Sequence, residues 1–113
     1  MGAMTAGKLD RRIAFQSPIE GKDADGKVVQ AWFDEFTLWA GVRYLKGGEA
    51  VMQARLAARA PVLIIIRRSS DAARITNAWR CLFDNEVYHV KELPRMTEDR
   101  AYLEFLAEAV ITP

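Results

Sequence analysis

The chain has 113 residues, half of them hydrophobic, and a net charge of +1, which fits one domain with one core and argues against a general nucleic-acid binder. One cysteine, Cys81, excludes an internal disulfide and a multi-cysteine metal site, and one histidine, His89, leaves little for acid–base chemistry. No apolar run approaches the length of a membrane helix, the longest aliphatic run being residues 62–66.

Residues 1–8 are small, polar and terminal, and read as a flexible N-terminus without the apolar core of a signal peptide. Met4 is a candidate natural start, with residues 1–3 a cloning remnant. Without an export signal, a reducing cytoplasmic compartment is expected. Residues 11–18 read as a first strand, in which Ile13 and Phe15 alternate with Arg12, Ala14 and Gln16. The cluster at residues 21–27 is a turn, with Asp25-Gly26 its hairpin signal; its acids lack the spacing of a calcium loop. Residues 28–33 form a second strand, which Asp34-Glu35 interrupts. A third follows at residues 36–45, with Leu38, Ala40, Val42 and Tyr44 on one face and Thr37, Trp39, Gly41 and Arg43 on the other. This strand reads as the most core-like, so Trp39→Ala or Val42→Asp is expected to unfold the domain.

Gly47-Gly48 breaks that strand, and residues 49–59 turn to helix formers, with Met52 and Leu56 four apart on one face and Arg55 and Arg59 likewise. Pro61 ends the helix. Residues 62–68 are a dense aliphatic strand. Residues 69–71 are its turn, and 72–77 a connector anchored by Ile75. Residues 78–83 and 86–93 read as a hairpin around Asp84-Asn85. Residues 102–110 alternate in a way that fits a strand or a short helix. The fold class is mainly β: a small antiparallel β-barrel or β-sandwich of six to seven strands with one short inserted helix. The organisation is a flexible segment at 1–8 and a single β-barrel domain at 9–113, with an inserted loop or helix at about 46–61.

Charge is uneven along the chain. Residues 43–80 hold eight basic residues against two acidic ones, Glu49 and Asp71, whereas residues 81–113 hold three basic and seven acidic. Such a chain can present unlike faces to neighbouring copies, or simply a mixed solvated surface. Arg67, Arg68, Arg74 and Arg80 are the candidates for contact with DNA phosphates or with another subunit, and solvated strand-edge arginine is the alternative. Cys81 and His89 read as packing and structural or surface residues, since neither has a partner base, acid or nucleophile nearby in sequence. Trp32, Trp39 and Trp79 with Tyr44, Phe83 and Tyr88 are read as barrel core, with Trp39 or Trp79 as candidates for an exposed partner contact.

The order of these signals resembles the phage head–tail joining proteins, including the head-completion or stopper proteins and head–tail adaptors of long-tailed phages. The resemblance runs from Gly7-Lys8-Leu9-Asp10-Arg11-Arg12-Ile13 through Asp25-Gly26, Trp32 and Leu38-Trp39-Ala40-Gly41-Val42-Arg43. It continues through Gly47-Gly48-Glu49-Ala50, Ile64-Ile65-Ile66-Arg67-Arg68, Phe83-Asp84-Asn85-Glu86-Val87-Tyr88 and Leu103-Glu104. It spans residues 7 to about 106 and is carried by order and spacing; residues 69–79 depart from it.

The resemblance implies a non-enzymatic virion protein without a cofactor, assembled in the bacterial host cytoplasm. It implies a ring of copies, each a monomer in solution, between the portal or its adaptor and the tail-end protein. That ring closes the DNA channel of a phage, prophage or gene transfer agent, near packaged DNA that it reads without sequence specificity and away from any membrane. Val51, Met52, Arg55, Leu56 and Arg59 of the inserted helix are then the candidates for docking on a neighbour. The rival reading is a nucleic-acid-binding barrel of the oligonucleotide-binding type. A small hydrolase or lyase is disfavoured by the lack of paired acids, a nucleophile elbow or a metal set.

Overall fold

The computed structural model describes residues 9–22, 24–45, 48, 52 and 59–110, the side chains of residues 22, 28, 29, 59 and 110 apart. Seven strands lie in one antiparallel sheet: β1 (Arg11–Lys22), β2 (Val28–Tyr44), β3 (Arg59–Arg67), β4 (Arg80–Phe83), β5 (Glu86–Val90), β6 (Arg95–Met96) and β7 (Tyr102–Val110). Their order is β3-β2-β1-β4-β5-β7-β6, and a further pairing of β3 with β7 closes the sheet on itself. The architecture is therefore a barrel and not a two-sheet sandwich. β7 pairs along its whole length with β3, while its other edge holds β5 toward one end and β6 toward the other.

Alternation with period two builds the interior. Ile13 and Phe15 of β1, Val62, Ile64 and Ile66 of β3, Cys81 and Phe83 of β4, Tyr88 and Val90 of β5, and Phe105, Ala107 and Ala109 of β7 all point inward. Phe15 meets Phe36 and Phe105 at ring separations of 5.6 and 6.2 Å, and Phe83 stacks on Tyr88 at 4.3 Å. β3 is buried on both faces, because Leu63 and Ile65 on its outer side are covered by Leu9, Leu45, Tyr102 and Leu106. That explains why this run reads as continuously aliphatic instead of alternating.

Asp34-Glu35, expected to separate two strands, instead lies inside one unbroken strand. Phe15 opposes Phe36 and Gln16 opposes Asp34, so Glu35 is the extra residue of a β-bulge. Two adjacent acids are poor strand formers, but a bulge needs only one residue to leave the ladder. β1 likewise runs on past residue 18 to Lys22. Beyond Gln16 it pairs with β2 alone, Ser17 opposite Phe33 through Lys22 opposite Val28, so this end of the β1–β2 pair leaves the barrel as a two-stranded arm. Gly26 closes the arm at φ +80°, a value that an L side chain tolerates poorly.

The helix expected at residues 49–59 falls mostly outside the described residues. Of its members, Met52 is exposed and its amide donates to the Gly48 carbonyl across one helical turn, while Arg59 belongs to β3 and not to a helix. Pro61 sits within β3, opposite Glu108. Among the described residues the one helical element with its own span is a 3₁₀ turn at Ala72–Arg74, inside the stretch read as a plain connector. Residues 102–110 are a strand, and Asp84-Asn85 makes the expected tight hairpin with both residues at positive φ.

Candidate interaction surfaces

Of the expected docking set, Val51, Arg55 and Leu56 lie outside the described residues, as does the side chain of Arg59. Met52 is half exposed.

The basic candidates separate into two kinds. Arg74 and Arg80 are held by the fold. Arg74 pairs with Glu35 at 2.5 Å and more loosely with Asp71 at 3.8 Å, and its guanidinium lies over the rings of Phe36 and Trp79. The carboxyl of Glu35 is held below its usual range first by the Ser17 hydroxyl and then by Arg74. The bulge residue thus ties the base of the arm to the 3₁₀ turn. Arg80 sits 4.3 Å over the ring of Trp32 and donates to Gln16, which donates in turn to Asp34. Cross-strand register sets Asp34, Gln16, Arg80, His89 and Glu108 side by side across five strands on the outer face of the barrel. Trp32, from the arm, also packs edge-on to the exposed His89 at 6.2 Å.

Arg67 and Arg68 are of the second kind: exposed, with Arg67 beside the Tyr102 ring and Arg68 donating to the Arg100 carbonyl. They line an open pocket with Leu9, Leu38, Trp39 and Ser69. Trp39, read as core, is 53% exposed, with Arg12 from the neighbouring strand 5.1 Å from its ring centroid. Its position on the face of β2 opposite Ala40 is the physical reason, since Ala40 takes the inward place. Tyr44 is also half exposed, whereas Trp79 is buried. Arg12 was missed because it reads as a solvated residue of an edge strand; its pairing with Trp39 depends on a register that sequence alone does not fix.

Part of the C-terminal acidity is consumed locally, since Arg95 pairs with Glu92 and Glu104. Burial pushes the Cys81 thiol up to about 12, far from a reactive thiolate. Among the described residues no group of three or more metal-ligating side chains forms, and no helix is long and apolar enough to cross a membrane. What the surface offers is contact: an arm, a half-exposed tryptophan under an arginine, and a two-arginine rim.

The sequence matches the phage head completion protein family over residues 4–110. The chain belongs to that family. It is a family of structural proteins of the phage head. The solution structure of protein SF1141 from Shigella flexneri 2a is similar in fold, with a TM-score of 0.67 and 25% identity over 94% of this chain and 96% of that one. A chain from the virion of a native gene transfer agent particle is similar at a TM-score of 0.62 and 17% identity, covering 91% of this chain and 96% of that one. Among curated proteins none matches significantly. Within the family the exposed positions, and not the barrel core, are where a role in assembly has to reside.

Proposed function

We propose that this protein joins the head of a phage, prophage or gene transfer agent to its tail. In this reading several copies form a ring beneath the portal or its adaptor, close the DNA channel and offer the tail-end protein a docking surface. Assembly takes place in the cytoplasm of the bacterial host. The observation that carries the reading is family membership over nearly the whole chain, supported by the likeness of the barrel to a gene transfer agent virion chain. Function is then geometric, with many weak contacts becoming stable once a symmetric template holds the copies close together. Arg67 and Arg68 are exposed and suit a surface near packaged DNA, where phosphate attraction needs charge but no base readout. Val51, Met52, Arg55, Leu56 and Arg59 are proposed to dock on a neighbour.

Deleting the gene from a producing strain tests this. Full heads that leak DNA and carry no tails, beside free finished tails, are the expected outcome. Normal tailed particles refute it.

One arrangement favours a second reading, a barrel that binds nucleic acid: Trp39 stands exposed beside Arg12, in a pocket that Arg67 and Arg68 also line. Salt-sensitive binding of short single strands by the isolated protein, lost in Trp39→Ala, would favour it. Absence of binding at low salt removes it.

A further inference from the structure

The two faces of the arm differ. One packs on the barrel: Pro18 and Trp32 oppose each other there, and Trp32 is clamped by Arg80 and His89. The other face continues the inward side of β1 beyond the barrel. It carries Ile19 and Phe33, 43% and 53% exposed, with the small exposed Ala31 opposite Ile19. These residues stand in line with Ile13 and Phe15, yet the arm has no third strand and nothing to cover it. A lone two-stranded ribbon is marginal in water, and an apolar face that lengthens it without a partner works against both folding and solubility.

The same chain carries an apolar hollow of a different shape. An open cleft of about 750 Å³ lies between the loop after β3 and the segment around β6, lined by Ala72, Ile75, Leu93, Pro94, Met96 and Leu103. Leu93 and Met96 are 64% and 48% exposed at its lip. The rim is basic: Arg68 lines the cleft, and its guanidinium donates to the carbonyl of Arg100, itself exposed. The polar face of the arm carries an exposed acid, Glu20, opposite Gln30.

We propose that the apolar face of the arm of one copy seats in the Leu93–Met96 cleft of the next copy, with Glu20 facing Arg68 and Arg100 on the cleft rim. The charges are complementary, and both surfaces are otherwise left to water. Because arm and cleft are unlike patches on one chain, the contact is head-to-tail, the kind that generates a ring when the rotation closes. Six residue pairs of extended chain reach about 20 Å, enough to bridge to an adjacent small barrel. This inference rests on the ring reading above and supplies one of its contacts.

Cysteine pairs test it. In particles complemented with a mixture of Phe33→Cys and Leu93→Cys chains, a short bismaleimide linker should join copies of this protein to each other. The buried Cys81 should stay silent in this experiment. Glu20→Arg alone, and Arg68→Glu alone, should each lower the cross-link yield about tenfold, and the two together should restore it. Far-ultraviolet circular dichroism on each purified variant confirms folding, since all four positions are exposed. Phe33→Cys linking instead to another virion protein overturns the proposal in favour of a foreign partner. No link at all, in particles that still hold several copies of this protein each, overturns the arm contact and leaves the ring intact. Particles with a single copy each overturn both.

Discussion

At the scale of the residue, burial decides which changes matter. Ile64 and Phe105 are wholly buried, and truncating either to alanine is expected to cost about 3–5 kcal/mol in urea denaturation. Trp39→Ala should cost under about 1 kcal/mol despite the larger side chain, since much of the ring already faces water. Val42→Asp remains disruptive, because Val42 packs against the core opposite Ile64. Cys81 gives a pH test. Its folded value is raised, so above pH 9 the folded chain holds a proton that the unfolded chain releases, and stability must fall as pH rises. Between pH 9 and about 12 the loss from this group approaches about 1.4 kcal/mol per pH unit, and a Cys81→Ala variant should lose that slope in alkaline melting curves. Alternation in the sequence carries the inward places of Ile13, Phe15, Ile64 and Ile66. It does not say which of two opposite faces wins at Trp39, because a tryptophan fits both a core and an exposed stack beside an arginine.

At the scale of the element, the bulge at Glu35 governs the arm. The single extra residue lets Trp32 meet Arg80 on one face while Ile19 and Phe33 share the other. Deleting Glu35 should slip residues 28–34 by one place and turn Trp32 to the opposite face. The expected readout is a red-shifted tryptophan emission and faster amide exchange in the arm, with the amides of β3 and β7 still protected. Arg80→Ala should loosen the arm without the slip, at a cost of about 1–2 kcal/mol from the lost stacking and hydrogen bond. Hairpins marked by their turn residues, Asp25-Gly26 and Asp84-Asn85, were legible because turn chemistry is local. The bulge was not, since the acids that form it look like the end of a strand until a partner register is known. Nor was the 3₁₀ turn at Ala72–Arg74, whose anchors Ile75 and Trp79 bury against residues far away in sequence.

At the scale of the whole molecule, the fold class was readable because many short alternating segments leave few architectures to choose from. Barrel closure was not readable, because it depends on the pairing of β3 with β7. The arginines separate on the same ground: Arg74 and Arg80 are consumed by contacts that only the closed barrel creates, while Arg67 and Arg68 face water. The inserted segment offers a prediction at this scale. A Met52→Asp, Leu56→Asp double variant should keep the wild-type melting curve, yet yield few DNA-retaining particles in a complementation assay. Normal yield would refute a docking role for the segment, and a collapsed melting curve would place it in the core. The late position of β7 also has a consequence for timing. The strand that seals the barrel is the last described one in the chain, and it bridges β3, β5 and β6. On the ribosome the β1–β2 hairpin can form early from neighbouring segments, but the interior stays open until β7 has emerged. A nascent chain therefore lacks the finished outer surface that neighbours would grip, so a half-made copy cannot enter a growing assembly and block it.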